Sequence, residues 1–158
     1  MTRPLGNPPE STMSLDMRLV ELDTLRHHEE ANLDHLRELK KEIELDKILK
    51  FAIVVDKNTN IILDGEHRFN ALKELGCNKV PVVFVDYNSP AIEVQAWRNG
   101  EQVTKKDVIE AGLGGKKLPP TTSKHMIRTC KTHTHISVIE KRVDISLEKL
   151  RDHPDDCR

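Results

Sequence analysis

The chain has almost no net charge: 25 basic residues stand against 26 acidic ones, leaving −1 at neutral pH. That balance argues against a general nucleic-acid or membrane-facing surface and leaves room only for a local basic patch. Long hydrophobic runs are also missing. The longest are strand-sized, so no membrane span is expected, and the N-terminus has neither the basic start nor the apolar block of a signal peptide. Cysteine is scarce. Cys77, Cys130 and Cys157 are odd in number and show no Cys-x-x-Cys spacing, which speaks for free thiols and a cytoplasmic protein. Cys130, His133 and His135 have no evident fourth ligand, so a polar histidine-bearing loop is favoured over a zinc site. What is present is a 158-residue chain, 37% hydrophobic and 32% charged, enough for one domain with a modest core.

Residues 1–14 hold three prolines and little apolar periodicity, so a disordered N-terminal tail is expected there, with a short polar C-terminal tail over 151–158. Leu15 to Leu22 suits a strand. Leu33, Leu36, Leu39 and Ile43 recur at helical spacing and predict an amphipathic helix running to about Asp46. Phe51 to Val55 and Ile61 to Leu63 flank the turn formers Asp56 to Asn60 and predict a hairpin-like pair. Phe69, Leu72 and Leu75 give a short helix its apolar face, and Gly76 follows where a left-handed cap is usual. Val80 to Val85 is a further strand, which Pro81 should confine to an edge or to its first residues. Thr104 with Asp107 three residues on predicts a helix start, and the chain from Gly112 to His125 reads as a loop rich in hydroxyls and bases. Ser137 to Ile145 reads as a last strand and Leu147 to Leu150 as a helical turn. The sum is an α+β domain with a small mixed sheet and flanking helices.

Between the strand at Ile61 and the helix at Phe69 stands Asp64-Gly65-Glu66-His67-Arg68. Gly65 lets the backbone approach a ligand closely, and the helix start offers free N–H groups and a positive dipole end. His67 and Arg68 add donors, so the segment reads as an anion cradle. An ordinary turn with solvated charges has the same pattern, and the rest of the chain must decide between them.

This segment, followed by Phe69 to Gly76 and then Val80-Pro81-Val82, resembles the ParB/sulfiredoxin-like superfamily and, within it, the archaeal free L-serine kinases. That group shows Asp-Gly-His-His-Arg in the cradle, a His-Glu pair after the first strand, a downstream Trp, and Pro-x-Lys-Thr-Thr-x-His near the end. His28-Glu29, Trp97 and Pro119 to His125 are counterparts in the same order, and the likeness runs from about Leu15 to Leu150. The resemblance implies a compact nucleotide-binding kinase domain over residues 15–150. It would transfer a phosphoryl group from ADP or ATP to the hydroxyl of free L-serine, giving O-phospho-L-serine for cysteine synthesis.

Such chemistry needs a base for the hydroxyl and positive groups around the transferred phosphate. The resemblance assigns Glu29 as the general base and Asp64 to the catalytic site. Asp64 would also serve as a Mg²⁺ ligand, with a turn-forming aspartate as the alternative. Gly65, Glu66, His67 and Arg68 would hold the nucleotide phosphates, Arg68 through a bidentate guanidinium. Trp97, Thr122, Ser123 and His125 would bind the amino acid. Two positions depart from the kinase pattern: Glu66 replaces the first cradle histidine, and Thr121 replaces the motif lysine, with Lys124 nearby. The connection from Trp97 to the last motif is also shorter than in the longer kinases.

Two rival readings belong to the same superfamily. Sulfiredoxin needs a cysteine where Glu66 stands, and without that thiol the reading fails. The chromosome-partition relatives carry Gly-Glu-Arg-Arg, bind CTP and continue into a DNA-reading domain; here little chain follows Leu150 and no such domain is expected. A nucleotide-binding regulatory module without kinase activity is the remaining alternative.

Overall fold

The computed structural model describes residues 17–151; the expected tail over 1–14, the polar end from 152 on, and Cys157 with it lie outside the described residues. In chain order the elements are β1 (Met17–Glu21), α1 (Leu33–Asp46), β2 (Ile48–Phe51), β3 (Ile53–Asp56), β4 (Ile62–Asp64), α2 (Glu66–Glu74) and β5 (Lys79–Val85). They continue with β6 (Ile92–Ala96), α3 (Lys105–Gly112), β7 (Ser123–Arg128), β8 (His133–His135), β9 (Arg142–Ser146) and α4 (Leu147–Leu150). Single 3₁₀ turns lie at Leu22–Thr24 and Ile136–Ile139.

The central sheet has the order β1-β5-β3-β4, parallel between β5 and β3 and antiparallel elsewhere, which makes it the mixed sheet expected. Every residue of β3 is buried, and its period of two sends successive side chains to opposite faces. Ile53 and Val55 join Leu36 and Ile43 of α1 and Phe69 and Leu72 of α2 in one core. Val54 joins Val85, Ile92, Val108 of α3 and Ile127 of β7 in the other. Helices α1 and α2 therefore cover one face of the sheet, while α3 and the three-stranded sheet β6-β7-β8 cover the other. A two-stranded ribbon of β2 and β9 completes the fold.

The local signals that act over a few residues are found as expected. Thr104 and Asp107 form a reciprocal capping box on α3; Asn32, not singled out from the sequence, also caps α1 by accepting the His35 N–H at 3.0 Å. Gly76, at φ +81°, ends α2: its N–H reaches Lys73 O at 3.2 Å and the Cys77 N–H reaches Leu72 O at 2.9 Å, the paired bonds of a Schellman stop. The buried Asp56 carboxylate accepts from Thr59 N–H, Thr59 Oγ–H and Tyr87 N–H, which pins the β3–β4 turn to the chain beyond β5.

Other expectations are corrected. Leu33 is 70% exposed, so the apolar face of α1 begins at Leu36. Pro81, by contrast, falls among the first residues of its strand as expected, although that strand is central: it pairs with Leu19 of β1, one residue ahead of the β3 ladder that starts at Ile53↔Val82, where a missing N–H costs least. β2, β6 and β7 were not expected. Part of the stretch read as a loop, from Ser123 on, is the middle strand of the second sheet, and the last expected strand breaks into the Ile136–Ile139 turn and β9.

Candidate active site

The sheet brings three separated segments to one place. Residues 26–30 run between β4 and the chain before β7: Ile62 N–H bonds Arg26 O at 2.9 Å, Leu118 N–H bonds His28 O at 2.9 Å, and Glu30 N–H bonds Leu118 O at 2.8 Å. This strapping sets His28 and Glu29 opposite the end of β4. There the chain turns through Gly65 at φ +104° into α2. A Cβ on Gly65 would lie 2.6 Å from the Cβ of Ile53, so neither the dihedral nor the space admits another residue without strain. The first α2 bond closes from Phe69 N–H to Gly65 O at 2.9 Å, leaving the N–H groups of Glu66, His67 and Arg68 without intrahelical acceptors.

Glu29 is held from three sides. Its Oε2 accepts Thr121 N–H at 3.0 Å, while Oε1 accepts Ser123 N–H at 3.0 Å and Ser123 Oγ–H at 2.8 Å. Ser123, having given its one proton to Glu29, accepts the His28 Nε2–H at 2.9 Å. His28 is only 3% exposed, and burial lowers its pKa, with the Glu29 charge opposing. The result is a carboxylate fixed in orientation by backbone amides and a neutral imidazole relay.

Behind it stands His125, 2% exposed, whose Nε2 accepts the Tyr87 hydroxyl at 2.8 Å. Burial drives its pKa well down and also pushes the Tyr87 phenol up, so this pair is neutral and structural in character. On the α2 side, His67 Nε2 accepts Asn32 N–H at 2.9 Å, and its ring lies against His35 with centroids 4.3 Å apart. Burial and then the His35 ring lower its pKa. Glu66 pairs with His27, and desolvation raises its pKa against that histidine's pull. Its negative charge is thus turned to a histidine rather than to an arginine.

Arg68 points into a second cluster. Its guanidinium meets Glu140 at 2.6 Å and Asp64 at 3.6 Å and donates to Ala52 O at 3.3 Å. Two carboxyls here face one cation. Burial first, and then the hydrogen bond its protonated carboxyl can donate to Asp64, raise the Glu140 pKa to about 8, with Arg68 opposing. A carboxyl whose pKa is higher folded than unfolded favours folding while protonated and opposes it once ionised. Stability is therefore expected to fall as pH rises from the ordinary value of 4.5 toward about 8. Glu140→Gln, which stays neutral throughout, should make that slope shallower; denaturant melts at pH 5, 6.5 and 8 check it, and an unchanged slope would remove Glu140 as its source.

A cleft of about 220 Å³ gathers Glu29, Asp64, Gly65, Glu66, His67, Trp97, Ser123 and His125. It also takes in His28, His35, Leu63, Thr121 and His135, for which sequence reasoning gave no site role. A second hollow of about 330 Å³ shares His35 and the stretch Asp64 to His67, and adds Leu39, Phe51 and Arg68. Arg68 is thus next to the cleft but not in its wall. Thr122 lines neither, since its Oγ donates to Pro119 O at 2.6 Å. Trp97 stands 48% exposed at the rim, with the Lys124 ammonium 4.7 Å above its ring, so Lys124 covers the tryptophan and does not line the cleft. His28 carried a signal as the partner in the His-Glu pair. Glu140 carried none, because its role depends on where β9 brings it.

A strand, a glycine turn and a helix N-terminus thus face a strapped His-Glu pair across the cleft. The chain belongs to the ParB N-terminal domain family, whose model matches residues 4–99. It is 36% identical over 104 residues to an ATP-dependent L-serine kinase of Desulfurococcus mucosus, covering 61% of this chain and 41% of that protein. It is also 41% identical over 73 residues to a ParB-like protein of Sulfolobus acidocaldarius, covering 46% and 36% respectively. The aligned parts span less than half the length of these curated relatives. Among solved structures, a free serine kinase in complex with AMP shares the fold with a TM-score of 0.69 at 16% identity, over 86% of this chain and 94% of that one. A C-terminally truncated SbnI from Staphylococcus aureus does so with a TM-score of 0.64 at 16% identity, over 90% and 92%. No helix among the described residues is long and apolar enough to cross a membrane, and Cys77 and Cys130 are free thiols.

Proposed function

We propose that this cleft is the active site of a nucleotide-dependent kinase acting on free L-serine, with ATP or ADP as donor and O-phospho-L-serine as product. The observation that carries the reading is Glu29: a carboxylate oriented by two backbone N–H groups and Ser123, facing a helix N-terminus across a cleft sized for an amino acid and a phosphate. The serine hydroxyl would attack the terminal phosphorus of the donor. Its O–P bond forms as the bridging P–O bond to the nucleotide breaks, and the hydroxyl proton passes to Glu29. Glu66, His67 and Arg68 N–H groups would hold the phosphate oxygens over Gly65. Trp97, Ser123 and His125 shape the acceptor side, His125 from beneath, and Thr122 would act through the loop it ties to Pro119. The names of the curated kinase relatives support the same activity, and phosphoserine would feed cysteine synthesis in the cytoplasm.

The cleft's charges call for a counter-ion. Burial lowers the pKa of His28, His67, His125 and His135, and Arg68 is paired, so few cations face an incoming phosphate. Among the described residues no group of three or more His, Cys, Asp or Glu side chains forms a ready metal cage. A Mg²⁺ here would be held by Asp64 and the donor's own phosphates, which is the usual manner for this ion. When bound it would supply positive charge to the transferred phosphate. Arg68 would add to this on release from Glu140, so Arg68→Ala is expected to weaken nucleotide binding about tenfold or more, measured by calorimetry. Unchanged affinity would confine Arg68 to the Glu140 cluster.

Incubating the protein with Mg²⁺, L-serine and ATP, ADP or CTP tests the whole reading by phosphorus NMR. Phosphoserine is the expected product. The acidic Glu66 in the cradle and the match to a ParB-like protein favour one second reading, a nucleotide-binding regulatory module, which nucleotide binding without phosphoserine would support.

A further inference from the structure

Most side-chain donors on the acceptor wall of the cleft are already engaged. Ser123 Oγ–H serves Glu29, His28 Nε2–H serves Ser123, and Thr122 Oγ–H serves Pro119 O, while His125 Nε2 accepts from Tyr87. Three side chains lining this wall keep a donor for which no protein partner is found among the described residues: the Thr121 hydroxyl, the Trp97 indole and the His135 ring. Thr121 and Trp97 are exposed. His135 differs in that its donor is fixed in place.

The reason is local. His135 is the N-cap of the Ile136–Ile139 turn, and its Nδ1 accepts the Ser137 N–H at 3.1 Å. A neutral ring that accepts at Nδ1 carries its single proton on Nε2. Burial lowers the His135 pKa, with the Glu140 charge opposing and Lys124 adding to the fall, so the neutral form prevails. The ring also lies beside Trp97 at the rim of the cleft, with centroids 6.2 Å apart and planes 39° apart. Glu29, Asp64 and Glu66 bring acidic side chains to the same cleft. A zwitterionic acceptor therefore meets acids suited to its ammonium group and, beside Trp97, a preset donor suited to its carboxylate; the other preset ring donor, the Nδ1–H of His67, whose Nε2 accepts Asn32 N–H, belongs to the α2 side with the proposed phosphate cradle.

We propose that His135 binds the carboxylate of the acceptor through Nε2–H, and so selects an α-amino acid over a simple amino alcohol; this rests on the kinase reading above. The structure offers a variant that separates this contact from folding. Asparagine is a strong N-cap whose side chain can still accept the Ser137 N–H but is too short to present the Nε2 donor. His135→Asn is expected to raise KM for L-serine about ten- to hundredfold, the range for one hydrogen bond to a charged group, with kcat nearly unchanged. Ethanolamine, which keeps the hydroxyl and ammonium but lacks the carboxylate, should react equally with both proteins. An unchanged KM for L-serine, or equal losses for both acceptors, would overturn the assignment. Calorimetric titration of L-serine onto the nucleotide-loaded protein reads the same contact without turnover. If wild type binds L-serine but forms no phosphoserine, the kinase reading fails while the Kd comparison still decides His135; if wild type binds no L-serine, both fall.

Discussion

Glu29→Gln is expected to reduce phosphoserine formation at least about 10²- to 10⁴-fold, the range that removal of a positioned general base produces, while nucleotide affinity is kept. The amide has the size and shape of the carboxylate, and with its oxygen toward Ser123 it keeps both bonds from that residue; its NH2 cannot accept the Thr121 N–H, so one strap bond is lost together with the proton acceptor. Initial rates by phosphorus NMR and nucleotide titration by calorimetry measure the two effects separately. A variant that keeps its turnover would show that Glu29 orients the Thr121 to Ser123 loop and that another group takes the proton. Its neighbour Glu30 is the internal comparison, since it does not line the cleft.

Gly65→Ala should damage both the fold and the cradle. Two penalties fall on one atom: the residue sits at φ +104°, where a side chain is strained, and its Cβ would lie 2.6 Å from the Cβ of Ile53. Ile53 is fully buried in β3, the strand shared by both cores, and has little room to yield. Overpacking of this kind costs about 1–3 kcal/mol, and an unfavourable backbone conformation about as much again, so a loss of roughly 2–6 kcal/mol is expected in denaturant unfolding. Gly76→Ala separates the two contributions. It has a positive φ of +81° but open space around it, so the dihedral penalty should appear there without the clash. Equal losses at the two glycines would show that the approach to Ile53 is unimportant. Where Gly65→Ala remains folded, its nucleotide affinity should still fall, because the α2 N–H groups are re-aimed.

What was legible in the chain had a short physical range. The Thr104–Asp107 box, the Gly76 stop and the turn at Asp56 each act over a few residues, so local chemistry suffices to find them. Strands β6 and β7 were missed for the opposite reason. His125 and Ile127 alternate with Lys124, Met126 and Arg128 correctly, but the stretch follows Pro119-Pro120 and a run of hydroxyls that mimic a loop. Pro81 reads as confined to an edge or to the first residues of its strand, and the latter holds; that its strand is central depends on where the neighbouring ladder begins, which no residue near it encodes.

The sequence by itself determined the glycine turn into α2 and the residue types of the segment proposed as an anion cradle, and the resemblance added the His28-Glu29 pair. Only the tertiary structure decided which of those groups are available. Arg68, the strongest phosphate donor on paper, is held by Glu140, which arrives from 72 residues away. Glu66 is absorbed by His27, and Thr122 by Pro119 O, while His135 gains a fixed donor through Ser137. The reason is physical: a side chain's chemistry is set by its type, but its free valence is what remains after burial and hydrogen bonding with distant partners.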